Sequence, residues 1–95
     1  MRVFVPSKNR AATIRTHKLF PDAVVVVHSQ KEADAYADAQ SGDINLAVSG
    51  VQADAYGLTR QREWICNNLA KKGEWFVFAD DNVHSLIGVV DTFYE

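Results

Sequence analysis

The chain has little cysteine, little proline, no early glycine and no strong charge of either sign, and each scarcity removes a class of protein. One cysteine, Cys66, among 95 residues cannot close an internal disulfide, which excludes a disulfide-stapled secreted scaffold and points to a reducing, cytoplasmic setting. Cys66 falls inside a helical pattern, a packed context that argues against a catalytic thiol. No glycine precedes Gly42, so the first loops cannot be the glycine-rich kind that cradles a dinucleotide or a phosphate. No apolar run approaches the ~20 residues that span a bilayer, and no apolar signal segment opens the chain. A formal charge of −2 argues against a broad nucleic-acid surface while leaving room for a local basic cleft. There is no zinc-type cysteine cluster, no His-Glu-x-x-His helix and no Ser-His-Asp spacing.

What is present reads as one small globular domain over residues 1–95, since 47% of residues are hydrophobic and 23% charged. Val3-Phe4-Val5 forms a first strand from Arg2 to Pro6, leaving through the polar loop Ser7-Lys8-Asn9-Arg10. Thr13 to Phe20 has helical spacing and is closed by Pro21. Ala23 to Val27 is an unbroken β-branched strand that needs cover on both faces. Ser29 to Glu32 resembles a capping box, opening a helix whose buried stripe is Ala33, Tyr36 and Ala37. Ile44 to Val48 makes a third strand and Ser49 to Gly57 an irregular loop. A third helix is expected from Leu58 to Lys72, with Leu58, Ile65 and Leu69 inward, basic residues in its last turn and Gly73 as its stop. This alternation predicts an α/β fold, a three-layer Rossmann-like, mainly parallel sheet flanked by helices.

Trp75-Phe-Val-Phe-Ala-Asp-Asp-Asn82 changes abruptly from five apolar residues to Asp80, Asp81 and Asn82. The apolar run fits a doubly covered parallel strand, with Trp75, Phe76, Phe78 and the helical Trp64 as core residues. Ligands in open α/β sheets bind beyond the carboxyl ends of such strands. Two carboxylates and a carboxamide are hard oxygen donors suited to Mg²⁺ or Mn²⁺ carried by a nucleotide phosphate, and the same three residues also suit a turn or helix cap. Pro6 to Arg10 opens at the same edge, where backbone groups can hold a base and Lys8 or Arg10 can hold phosphate oxygens; a solvated turn is the other reading. Arg60 and Arg62 sit at the positive end of the third helix, where an anion is favoured, but two residues apart they diverge by about 200°, so one of them reaches a ligand. His28 and His84 follow strands and can line the same edge, or serve as satisfied core or surface histidines.

Taken together, Val-Phe-Val-Pro-Ser-Lys-Asn-Arg, Val-Val-Val-Val-His, Arg-Gln-Arg-Glu-Trp-Ile and Trp-Phe-Val-Phe-Ala-Asp-Asp-Asn resemble the N-terminal half of phage-type glycosyltransferases with the A-type fold. The resemblance runs from Arg2 to about Asn82. It implies that Pro6, Ser7, Lys8 and Arg10 form a nucleoside loop, with Arg60 or Arg62 on the diphosphate. Asp80 and Asn82 become the outer positions of an Asp-x-Asp element that binds ribose and a divalent ion, Mn²⁺ or Mg²⁺, with Asp81 between them. Asn82 replaces the last acid of that element, lowering its charge toward a metal. The implied ligand is a nucleoside-diphosphate sugar, the implied acceptor in a full-length relative includes a nucleic-acid base, and the implied setting is the cytoplasm, that of the host for a phage-encoded chain.

The superfamily carries its acceptor site and catalytic base in a C-terminal half, and a chain ending on Phe93-Tyr94-Glu95 reads as cut from something longer. The expectation is therefore the donor half of a sugar transferase, its base unassigned. A non-catalytic nucleotide-binding or oligomeric module is the alternative. Leu86, Ile87, Val89, Val90, Phe93 and Tyr94 would then be covered by a second copy in a homodimer, or by folding Val83 to Tyr94 back as a fifth strand.

Overall fold

The computed structural model describes residues 2–52, 57–81 and 92–94. Five strands, β1 (Arg2–Pro6), β2 (Val24–Val27), β3 (Asn45–Val48), β4 (Phe76–Phe78) and β5 (Thr92–Tyr94), alternate with helices α1 (Thr16–Leu19), α2 (Gln30–Ala39) and α3 (Gly57–Asn68). The sheet order is β3-β2-β1-β4-β5. The first four strands are mutually parallel, with Phe4 opposite both Val24 and Phe78. β5 adds an antiparallel edge beside β4, pairing Phe76 with Tyr94. The α/β, mainly parallel reading is thus correct, and a fifth strand does form, at Thr92–Tyr94. Asn82, His84 and the Leu86 to Val90 segment lie outside the described residues.

Strand alternation divides the apolar residues between two layers. Val5, Val25, Val27 and Ala79 pack with Ile14, Ala33 and Tyr36 on the side of α1 and α2. Phe4, Val26, Phe76 and Phe78 pack with Ile65 of α3 on the other, with Trp64 and Leu69 at the margin. Both faces of β1 and β2 are covered, which is why their sequences read as continuous apolar runs rather than alternating ones. Phe76 meets Phe4 and Phe78 edge to face, with ring centroids 5.4 and 5.3 Å apart.

Four local expectations need correction. The first helix is only Thr16–Leu19. Thr13 and Ile14 donate their amides back to the Arg10 carbonyl in a turn, and the Arg15 amide goes to the Asp81 carbonyl instead of a helical one. α3 ends at Asn68, so Lys71 and Lys72 lie beyond it. There the Ala70 amide reaches back five residues to Ile65, and the Glu74 carboxylate accepts from the Lys71 amide and from Arg2, fixing a turn that Gly73 closes at φ +79°. Trp75, expected in the core, precedes β4 and is 55% exposed. Cys66 is exposed on α3 as well, not packed.

Candidate functional site

The chain runs outward from β1 through β2 to β3, then crosses to the other side of β1 as β4. The strand order therefore reverses at β1 and β4, and in open α/β sheets ligands bind beyond the carboxyl ends of the strands at such a switch point. Ser7 is the first residue beyond β1, and Asp80 and Asp81 follow β4. They meet: the fully buried Ser7 hydroxyl donates to Asp81 Oδ2 at 2.8 Å. Ser7 has one hydroxyl hydrogen, so the Tyr36 hydroxyl, 2.6 Å from Ser7 Oγ, must be the donor in that pair. Tyr36 in turn accepts the Arg10 amide at 2.9 Å. A directed chain results, from the Arg10 N–H through Tyr36 and Ser7 to the Asp81 carboxylate, and it links β1, α2 and β4.

Asp80 and Asp81 differ in environment despite adjacency. Asp81 is 8% exposed. Burial first, and then the charge of Asp80, push its carboxyl above the usual carboxylate range, while the Ser7 hydroxyl and Arg10 oppose the shift. Asp80 keeps its side chain at the surface, where Oδ1 accepts the Asp81 amide at 2.8 Å. The backbone of the pair is held from α1: the Thr16 hydroxyl donates to the Asp80 carbonyl and the Arg15 amide to the Asp81 carbonyl.

The β1 loop is fastened by α2. Asn9 adopts a left-handed φ of +56°, a conformation Asn tolerates better than most residues. Its amide donates to Glu32 Oε1 at 2.7 Å. The Ser29 hydroxyl accepts the Glu32 amide, as a capping box requires, but the acid of that box has turned outward to the loop. The amides of Ser7, Asn9 and Arg10 are engaged by Val26, Glu32 and Tyr36 respectively. What the loop presents outward is the side chains of exposed Asn9 and Arg10 and half-buried Lys8. Three of the loop's backbone donors are thus already engaged within the fold.

The α3 side is built on Gln61, which is fully buried. Its amide nitrogen donates to the Ser7 and Val26 carbonyls at 3.1 Å each and faces His28 Nε2 at 3.4 Å. His28 Nδ1 lies 2.7 Å from the Val51 carbonyl, and since a carbonyl only accepts, Nδ1 donates to it. Gln61 thus ties the ends of β1 and β2 to the loop after β3. Its Oε1 and the Nε of Arg62 are buried without hydrogen-bond partners. The Arg62 guanidinium lies 5.5 Å over the ring of Phe78, the last residue of β4, whereas Arg60 is exposed. As the helical geometry required, the two diverge.

The structure gathers Pro6, Ser7, Lys8, Arg10, His28, Arg62, Asp80 and Asp81 at one edge of the sheet. It also supplies Tyr36, Glu32, Gln61 and Thr16, which the sequence reading did not single out as polar site residues. A signal for Gln61 existed: it falls four residues before Ile65 on the apolar stripe of α3, and a polar residue at a core position demands partners. Tyr36 was expected inside, and a buried tyrosine hydroxyl needs a partner in the same way. Among the described residues no three His, Cys, Asp or Glu side chains converge as a metal site, and no helix is long and apolar enough to cross a membrane.

Searches among curated proteins and solved structures give no match. A family model does match, across residues 1–92, that of the TET-associated glycosyltransferases. The chain belongs to the TET-associated glycosyltransferase family, and its mainly parallel α/β sheet is a glycosyltransferase-related domain.

Proposed function

We propose that this domain binds the donor of a sugar transfer, a nucleoside-diphosphate sugar, in the crevice between β1 and β4, in the manner of the donor half of an A-type glycosyltransferase. The observation that carries the reading is the Ser7 to Asp81 hydrogen bond, which joins the loops of β1 and β4 at the sheet's switch point. Lys8 and Arg10 of the β1 loop supply cations and His28 borders the nucleoside side. Arg62, anchored over Phe78, faces the diphosphate in preference to Arg60. Asp80 offers a surface carboxylate for a divalent ion, with Asn82 the further donor the family resemblance assigns.

The donor set fits a cation that arrives with its nucleotide. Asp81 Oδ2 already accepts from Ser7, so Asp80 supplies the accessible charge, and Mg²⁺ or Mn²⁺ bound through one or two carboxylates commonly completes its shell with phosphate oxygens and water. Bound there, such an ion would neutralise charge on the departing diphosphate, with Asp80 as the residue that would hold it. Arg10 and Arg62 add bidentate contacts to phosphate. Donor binding and leaving-group support are the parts of the reaction these residues perform; none of them is assigned as the base that activates an acceptor.

Calorimetric titration with uridine- and guanosine-diphosphate sugars, with and without Mn²⁺, tests the reading. Weak binding strengthened by Mn²⁺ is expected, and Asp80→Ala should remove the metal's contribution. No heat with any nucleotide sugar at millimolar concentration would overturn it in favour of a non-catalytic module.

A further inference from the structure

Glu32 and Tyr36 lie four residues apart, on one face of α2. Both reach out of the helix to consecutive backbone amides of the β1 loop, Asn9 at 2.7 Å and Arg10 at 2.9 Å. Neither contact is what the local sequence calls for. A capping-box acid ordinarily returns to the amide of its own cap residue, and a core tyrosine can satisfy its hydroxyl in many ways. Here both are directed at the segment that contains the left-handed Asn9. Beside these two grips, the loop is pinned at Ser7 by the Val26 carbonyl and at Arg10 by the turn to Thr13 and Ile14.

We propose that Glu32 and Tyr36 are the positioning residues of the donor site: α2 clamps the β1 loop so that Lys8 and Arg10 are presented to the ligand in one arrangement. The proposal rests on the nucleotide-sugar reading of the crevice. It also specifies the chemistry of the loop. With the Asn9 and Arg10 amides committed to α2, the loop meets phosphate through charged side chains and not through a nest of backbone donors. Binding should therefore weaken steeply with added salt, as contacts between mobile ions do. The clamp contributes preorganisation, since ordering the loop only on binding would cost affinity.

The experiment uses the full chain and three variants. Glu32→Gln keeps an oxygen acceptor for Asn9, Glu32→Ala removes it, and Tyr36→Phe retains the core ring while deleting the hydroxyl. Nucleotide-sugar affinity is measured by calorimetry in Mn²⁺, and amide hydrogen exchange is read at Asn9, Arg10 and the β2 strand. Glu32→Ala and Tyr36→Phe should each bind about tenfold more weakly, the effect of one hydrogen bond lost from a preorganised loop. Glu32→Gln should stay near the parent. Exchange should accelerate at Asn9 or Arg10 while Val25 to Val27 remain protected, which separates loop release from general unfolding. Parent affinity in Glu32→Ala and Tyr36→Phe despite faster loop exchange would overturn the proposal. If the parent chain itself binds no nucleotide sugar, the functional reading fails on its own, and the clamp then stands or falls on exchange: unchanged protection at Asn9 and Arg10 in both variants would overturn it.

Discussion

The two sides of the sheet's carboxyl edge solve the same problem in opposite ways. On the α1 and α2 side, each polar group along the chain from the Arg10 amide to Asp81 has a partner, and the hydroxyl directions follow from one another. On the α3 side, the Gln61 amide nitrogen has two carbonyls and His28 Nε2 within reach while its carbonyl oxygen and the Arg62 Nε have no partner. A satisfied network is rigid and specifies one arrangement; buried groups without partners are costly to keep and need a reason. The first side reads as scaffold. The second holds the polar capacity that a ligand or a rearrangement can use.

The largest effect should come from Gln61→Leu. It removes the donor shared by the Ser7 and Val26 carbonyls; Val26 keeps the Ser7 amide, so one buried acceptor is stranded at about 1–3 kcal/mol and a second bond is lost at about 1 kcal/mol, predicting a loss of about 2–3 kcal/mol. Urea denaturation measures it. A neutral result would show that the α3 side is as replaceable as a surface.

Ser7→Ala should cost less, about 1–2 kcal/mol, by cutting the closed chain at its middle. Its pH dependence sharpens the contrast. Because the Asp81 carboxyl is raised, the folded chain holds a proton that the unfolded chain has released, and the stability this gives is lost as pH rises through the folded value. Deleting the Ser7 donor raises that value further, so the penalty should be larger at neutral than at acid pH. An equal penalty at both would mean the hydroxyl does not contact a carboxylate.

Two further groups, away from the crevice, set the acid limit in the opposite sense. Arg2 holds the Glu74 carboxyl down at about 2, so the stability it gives is present above the ordinary carboxylate range and lost as pH falls toward that value. Arg2→Met should return the Glu74 carboxyl to its ordinary range, read by side-chain NMR titration. His17, 7% exposed, is pushed below 6.5 by burial, and Lys18 adds to the shift. Gln40 and Asp43 oppose the shift without reversing it, and His17 Nδ1 is left without a partner. The unfolded chain takes up that proton first, so stability should fall as pH drops below 6.5, and His17→Gln should flatten the slope. The smallest effect should be at the exposed Trp75: Trp75→Ser should stay within about 0.5 kcal/mol of the parent.

The parallel sheet was legible because doubly covered strands leave a continuous apolar signature, as in Val24 to Val27 and Phe76 to Phe78. The shared edge of Ser7 and Asp81 followed from topology alone. Helix ends were less legible, because tertiary partners decided them: the Asp81 carbonyl took the Arg15 amide, and Glu74 took that of Lys71. The division of labour between Asp80 and Asp81 was also hidden, since adjacent identical residues carry no sequence mark of which will be buried. Tyr36 and Gln61 were hidden for another reason. Periodicity places a residue inward but does not say which backbone groups, far away in sequence, await its polar atoms.

Those distances in sequence have a consequence for the order of assembly. Ser7 and Asp81 are 74 residues apart, and Arg2 reaches Glu74 across 72, whereas β1 finds β2 with Phe4 beside Val24. Closing the longer loop costs more chain entropy before any contact repays it. A growing chain can therefore dock β1, β2 and β3 while one edge of β1 still waits for Phe76 to Phe78 to emerge. The Ser7 to Asp81 join must wait for β4, and a chain stopped short of it would carry three of the five strands and the cations of the site without its acids.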